Sequence, residues 1–146
     1  MKVEFSIDPQ QKEPKIIIVA SEITEDLHTL ANRLEHPYPD TVNGYPEHGL
    51  IVLQTNDILR IYAEQQKVYA QTIGGVFPLH ARLYELEAQL DPQQFVRISN
   101  SEIVNSRKIL QLDAKLSGTI RIALEGDIAT FSSRRYASKI KRHFGL

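Results

Sequence analysis

The sequence predicts a mainly β protein, α+β overall, on three observations. From residue 50 onward, short β-branched and aromatic runs alternate with turn residues. Helical periodicity recurs three times, and the last helical stretch is strongly basic. Charge is also unevenly spread: residues 1–50 sum to −5, residues 51–91 to −2, and residues 92–146 to +6, with ten bases against Glu102, Asp113, Glu125 and Asp127. A net charge of −1 therefore hides an acidic head and a basic tail, a pattern that points to a polyanionic partner.

Taken in order, Val3, Phe5 and Ile7 alternate with polar neighbours, which predicts a strand. After a turn bounded by Pro9 and Pro14, the run Lys15-Ile16-Ile17-Ile18-Val19-Ala20 predicts a buried strand. Ser21 is placed as a helix N-cap, with Glu22, Glu25 and Asp26 in the first turn where the helix dipole favours anions. Ile23, Leu27, Leu30, Ala31 and Leu34 form its apolar face, and Pro37 and Pro39 stop it. Residues 36–49 hold three prolines and two glycines and read as a boundary or long loop. Residues 1–43 are thus expected to form a small β-β-α extension, and residues 44–146 a separate domain.

In that domain, strands are predicted over residues 50–54, 57–63 and 67–72, with Glu64-Gln65-Gln66 turning between the last two. Gly74-Gly75 turns the chain into a strand over residues 76–79. Leu79, Leu83, Leu86 and Leu90 share a helical face that Asp91-Pro92 ends. Further strands are expected near residues 95–99, 107–113, 119–124 and 128–132, with turns at Ser117-Gly118 and Glu125-Gly126-Asp127. A last helix runs over residues 134–144, with Tyr136, Ile140 and Phe144 as its packing stripe and Gly145 at its end.

Several function classes fall away. No cysteine is present, so there is no disulfide framework and no thiolate metal site. His36, Asp40, Glu47 and His48 lie close together, but their spacing matches no helical or hairpin ligand pattern. The strand-to-helix passage after Ala20 lacks a glycine-rich phosphate loop. No metal, cofactor or catalytic residue is expected. The longest apolar run, residues 16–20, is too short to cross a bilayer, and no signal sequence opens the chain, so a cytoplasmic location is expected.

The basic helix carries the sharpest signal. Arg134 and Arg135 occupy its first turn, where the dipole should repel cations; a phosphate would reverse that penalty, because the helix N-terminus offers free N–H groups to an anion. Arg135, Lys139 and Arg142 continue as a ladder on one flank, with Lys141 and His143 nearby. Basic helices also serve as plain solvated faces. The first-turn arginines, the lack of acids after Asp127 and the segmental imbalance favour nucleic acid. A second polar element, Ser99-Asn100-Ser101, interrupts bulky strand residues. It is either an Asn turn capped by serine or a bared edge able to meet a base. Asn105 is expected to be structural.

At these residues the chain resembles the LytTR DNA-binding family. The pattern Phe-x-Arg-x-His-Arg/Asn-Ser followed by Val-Asn is met by Phe95, Arg97, Asn100, Ser101, Val104 and Asn105, and the later Ser-Arg-Arg/Lys-Tyr by Ser133, Arg134, Arg135 and Tyr136, with Lys139 and Lys141 beyond. Upstream, Asp57-Ile58-Leu59-Arg60-Ile61-Tyr62, Lys67-Val68-Tyr69 and Leu83-Tyr84-Glu85-Leu86-Glu87 resemble its opening strands and connecting helix. Where the family has histidine, this chain has Ser99.

The resemblance implies an elongated LytTR-type β fold with a connecting helix and a basic C-terminal helix, whose loops enter successive major grooves of double-stranded DNA. It implies DNA contacts by Gln66 and Lys67 in one loop, by Ser99 and Asn100 in a second, and by Arg134 at the mouth of the last helix. Arg135 and Lys139 would lie on the phosphate backbone. Arginine at guanine and asparagine at adenine are chemically apt, each worth about 1–3 kcal/mol of discrimination. Only about 45 residues precede the domain, too few for a receiver domain, so the implied type is the standalone regulator. Such a regulator is expected to be a homodimer on paired repeats, restrained in some cases by a small membrane protein. The acidic extension is expected to mediate dimer contacts or receive that partner. The alternative is a protein-interaction module with no DNA readout.

Overall fold

The computed structural model describes all residues, Met1–Leu146, in two compact units, Met1–Pro37 and Tyr38–Leu146.

The first unit holds one helix, α1 (Glu25–Glu35). Its N-cap is Thr24, whose hydroxyl accepts from the Leu27 N–H at 3.3 Å, so the helix starts after the expected Ser21 cap and Ile23 falls outside it. Glu25 and Asp26 fill the first turn and Arg33 the last, matching the dipole at both ends. The two strands expected at Val3–Ile7 and residues 15–20 do not form, and the β-β-α extension reduces to its helix. The reason is pairing: a strand persists only when its N–H and C=O groups find a ladder and its apolar face is covered. Neither condition is met within this unit, whose Val3, Phe5, Ile7, Ile16, Ile17 and Val19 are all exposed.

In the second unit, the Pro- and Gly-rich stretch expected as loop contains β1 (Thr41–Gly44), paired antiparallel with β2 (Ile51–Gln54). Gly44 suits this close approach. A Cβ there would come within 3.0 Å of Ile51 Cγ2 and 3.1 Å of Phe77 Cβ, so any larger residue would force these neighbours to give by a few tenths of an ångström.

The main sheet has five antiparallel strands in the order β5-β4-β3-β7-β6: β3 (Arg60–Glu64), β4 (Lys67–Thr72), β5 (Gly75–Leu79), β6 (Phe95–Ser99) and β7 (Glu102–Asn105). Asp57 closes a single 3-10 turn, Thr55–Asp57, and strand begins only at Arg60. Leu79 belongs to β5, opposite Val68, so the following helix, α2 (Leu83–Gln89), is shorter than its leucine repeat suggests. A second antiparallel sheet has the order β10-β9-β8: β8 (Ile109–Ala114), β9 (Ile120–Leu124) and β10 (Ile128–Phe131). The chain ends in α3 (Arg134–His143), closed by Gly145 in the left-handed region at φ 70°.

The β6–β7 hairpin lies between two cores. Phe95 and Ile103 face Ile58, Ile61, Leu83, Leu86 and Leu90, while Val96, Ile98 and Val104 face Ile120, Ile122, Leu124, Ala137 and Ile140. A strand buried on both faces reads as a continuous apolar run, which is how residues 95–98 and 103–104 read apart from Arg97. Asn105 is fully buried: its amide donates to the Ile58 carbonyl at 2.8 Å and its Oδ1 accepts from the Arg107 N–H at 3.0 Å, a structural role as expected.

Candidate nucleic-acid interface

The main sheet brings two of the three predicted contact regions to one end. β3 and β7 pair antiparallel, Tyr62 opposite Glu102, so the β3–β4 turn and the β6–β7 turn project from the same end. The Ala63 N–H donates to the Ser101 carbonyl at 2.8 Å and ties the two together. Gln65 and Gln66 both have left-handed φ, 51° and 66°, the signature of a two-residue type I′ hairpin turn. Gln66 and Lys67 are exposed there, and Lys67 has no carboxylate partner.

The β6–β7 turn is held from below by Arg97. Its Nε donates to the Ser99 carbonyl at 2.7 Å and its Nη2 to the Asn100 carbonyl at 2.6 Å. Ser99 Oγ accepts from the Ser101 N–H at 3.2 Å and lies 3.3 Å from Ser101 Oγ. The serine-capped Asn turn and the bared polar edge are thus one object: the turn's own hydrogen bonds leave Asn100 exposed at its tip. Ser99, half-buried, spends its hydroxyl on the turn.

The third region is the mouth of α3. The Ser133 N–H donates to the Ile98 carbonyl at 3.0 Å, so the helix starts directly beside the β6–β7 turn. Tyr136 OH lies 3.4 Å from Asn100 Oδ1, linking the first helical turn to the tip. A Cβ on Gly118 would meet Arg134 Cγ at 3.4 Å, which places the Arg134 stem over the Ser117-Gly118 turn between β8 and β9. Arg134 and Arg135 are exposed, no acid shares their turn, and neither has a carboxylate partner; the same is true of Lys141 and Arg142.

Lys139 differs from its neighbours. Its Nζ lies 3.7 Å from Glu87 Oε2, and the same oxygen lies 3.7 Å from Arg97 Nη1, so one carboxylate of α2 serves both cations. Arg60 is likewise engaged, with Glu102 at 3.4 Å and Gln71 Oε1 at 2.7 Å. Burial pushes the Glu102 carboxyl above its usual range, opposed by the Thr130 hydroxyl and by Arg60.

Reading the sequence missed the supports of this surface. Arg97 stood inside the Phe-x-Arg pattern without a role, and a lone cation in an apolar strand was the available signal. Nothing in the sequence linked Glu87 to Lys139, or Gly118 to Arg134, because these pairs meet only after folding.

Residues 48–145 match the LytTr DNA-binding domain family. The chain is 34% identical over 147 residues to uncharacterized HTH-type transcriptional regulators of Staphylococcus aureus strains NCTC 8325 and COL, covering 100% of this chain and 99% of theirs. Its fold is similar to that of the LytTr DNA-binding domain of a methyl-accepting/DNA response regulator from Bacillus cereus, with a TM-score of 0.72 and 21% identity, covering 74% of this chain and 99% of that one.

Proposed function

The chain belongs to the LytTr DNA-binding domain family, and from that membership we infer a DNA-binding transcription regulator that reads duplex DNA with the β6–β7 turn and the mouth of α3. Membership does not favour a protein-interaction module without DNA readout. The observation that carries the choice of surface is the Ser133 to Ile98 hydrogen bond, which sets unpaired Arg134 and Arg135 beside exposed Asn100.

In this reading, Asn100 and Arg134 meet base edges, while Arg135 meets phosphate. Ser99 shapes the turn that presents Asn100, and Gln66 and Lys67 reach the duplex from the β3–β4 turn. Lys139 meets phosphate after exchanging Glu87 for it. The regulator acts in the cytoplasm as a homodimer on paired repeats, without catalysis or cofactor; no helix is long and apolar enough to cross a membrane. Residues 1–43 serve dimerisation or regulation, and a small membrane protein is a fitting restraint on them.

The test begins with a duplex selected from a random pool. Arg134→Ala is expected to lose about tenfold or more of the preference for that duplex over a random one of equal length. Arg135→Ala is expected to weaken binding to both duplexes and to lower the salt slope by about one. Unchanged affinity of Arg134→Ala for both duplexes overturns its assignment.

A further inference from the structure

The first unit poses a physical problem that its own residues do not solve. It is a 37-residue body in which no side chain is buried. Units of that size normally need a disulfide, a metal or a second subunit. This chain has no cysteine, and no group of three or more His, Cys, Asp or Glu side chains could hold a metal. Val3, Phe5 and Ile7 are 76%, 89% and 83% exposed, and their backbone groups pair with nothing within this unit.

Residues 2–8 are ready to become a strand. Lys2 Nζ reaches Glu4 Oε1 at 3.0 Å, the same-face neighbour that an extended backbone presents two residues on. Asp8 Oδ1 accepts from the Gln10 N–H at 3.0 Å, and the Gln11 N–H donates to the Asp8 carbonyl at 3.0 Å, so a turn stops the extended segment there. Odd positions are apolar and even positions polar throughout.

The segment is also complementary to itself. A two-fold axis perpendicular to an antiparallel pair requires one residue to face its own copy. With Phe5 opposite Phe5, Lys2 falls opposite Asp8 at both ends, Val3 opposite Ile7, and Glu4 opposite Ser6. One face then carries six apolar side chains and the other two opposite-charge pairs, the combination that favours an antiparallel pair. Moving the register by two residues loses both charge pairs.

We propose that residues 2–8 dock on the same residues of a second copy of this chain, as an antiparallel pair centred on Phe5. The inference rests on the homodimer reading above and names its contact. A pair of seven-residue strands is marginal alone. Exposed Ile16, Ile17 and Val19 in each unit offer further apolar surface, and two copies on adjacent DNA sites are held at high effective concentration.

Because the natural chain lacks cysteine, single substitutions report the register directly. In the full-length protein under mild oxidation, Phe5→Cys should self-link, since the opposed Cβ atoms lie about 5 Å apart. Val3→Cys and Ile7→Cys should not self-link, because each would sit about 13 Å along the strand from its copy, but the two mixed together should link. Lys2→Glu and Asp8→Lys should each weaken self-association on the order of tenfold, and their mixture should restore it, because both charge pairs are regained.

Equal self-linking by all three cysteine variants overturns the register. A full-length protein that sediments as a dimer while Phe5→Cys fails to link overturns this contact but leaves the homodimer reading standing. A monomer with no linking at all overturns both. Sequence-selective duplex binding by the variants shows that the second unit remains folded in each case.

Discussion

Arg97 donates to the carbonyls of both Ser99 and Asn100, at 2.7 and 2.6 Å, so a strand residue holds the turn that follows it. A guanidinium has the planar fork to bind two adjacent carbonyls at once, and a lysine does not. Arg97→Lys is therefore expected to keep the fold but weaken binding to the selected duplex by about tenfold, because the turn loses one or both anchors. Arg97→Ala should also lower stability by about 1–3 kcal/mol, since two turn carbonyls and Glu87 lose their partner. Denaturant unfolding and duplex titration separate the two effects.

Glu87 bridges Arg97 and Lys139 from α2. Its side chain is 41% exposed, so the pairing itself contributes little stability. Glu87→Gln is expected to release Lys139 for phosphate, raising affinity for random duplex and steepening the dependence of log K on log salt by about one. An unchanged slope would sink the idea that Glu87 competes with DNA.

Gln65 and Gln66 both hold the left-handed conformation, which costs a non-glycine residue about 1–2 kcal/mol. Gln66→Gly is expected to raise unfolding free energy by about 1 kcal/mol through relief of that strain. If the Gln66 side chain touches DNA as proposed, the same variant binds the selected duplex more weakly although it is more stable. Gains in both quantities would remove Gln66 from the interface.

Glu102 supplies a pH dependence. Its carboxyl titrates above the ordinary 4.5 in the folded chain, chiefly because it is buried. The folded state therefore holds its proton more tightly than the unfolded state. The resulting stability is fully present below the unfolded pKa and is lost as pH rises through the folded one. Measured against Glu102→Gln, the natural chain should lose stability as pH rises above 4.5 through the raised folded pKa. Parallel curves for the two proteins would contradict the burial argument.

Much of the second unit was legible because its signals are local. The Glu64-Gln65-Gln66 turn, the Gly74 turn, the stop at Asp91-Pro92 and the Gly145 end of α3 all depend on residues within a few positions of each other. The clearest miss in that unit, β1, is a strand by its pairing with β2 and its Gly44 lies close to Ile51 and Phe77, relations no local pattern encodes. The opposite error occurred in the first unit. Alternation at Val3, Phe5 and Ile7 and the run at Ile16–Val19 are real strand patterns, but a pattern states only what a segment can do once paired.

By itself, the sequence determined the charge partition, the mainly β class, the basic helix with arginines in its first turn, and the motif that marks the family. Each is a property of residue order and needs no partner from elsewhere in the chain. Only the tertiary structure decided which cations remain free and which polar groups meet. Glu87 occupies Lys139 and Arg97, whereas Arg134 and Arg135 stay unpaired beside Asn100. The physical reason is range: charge and periodicity are written along the chain, but ion pairs and hydrogen bonds act over a few ångströms and depend on folding to bring distant residues together.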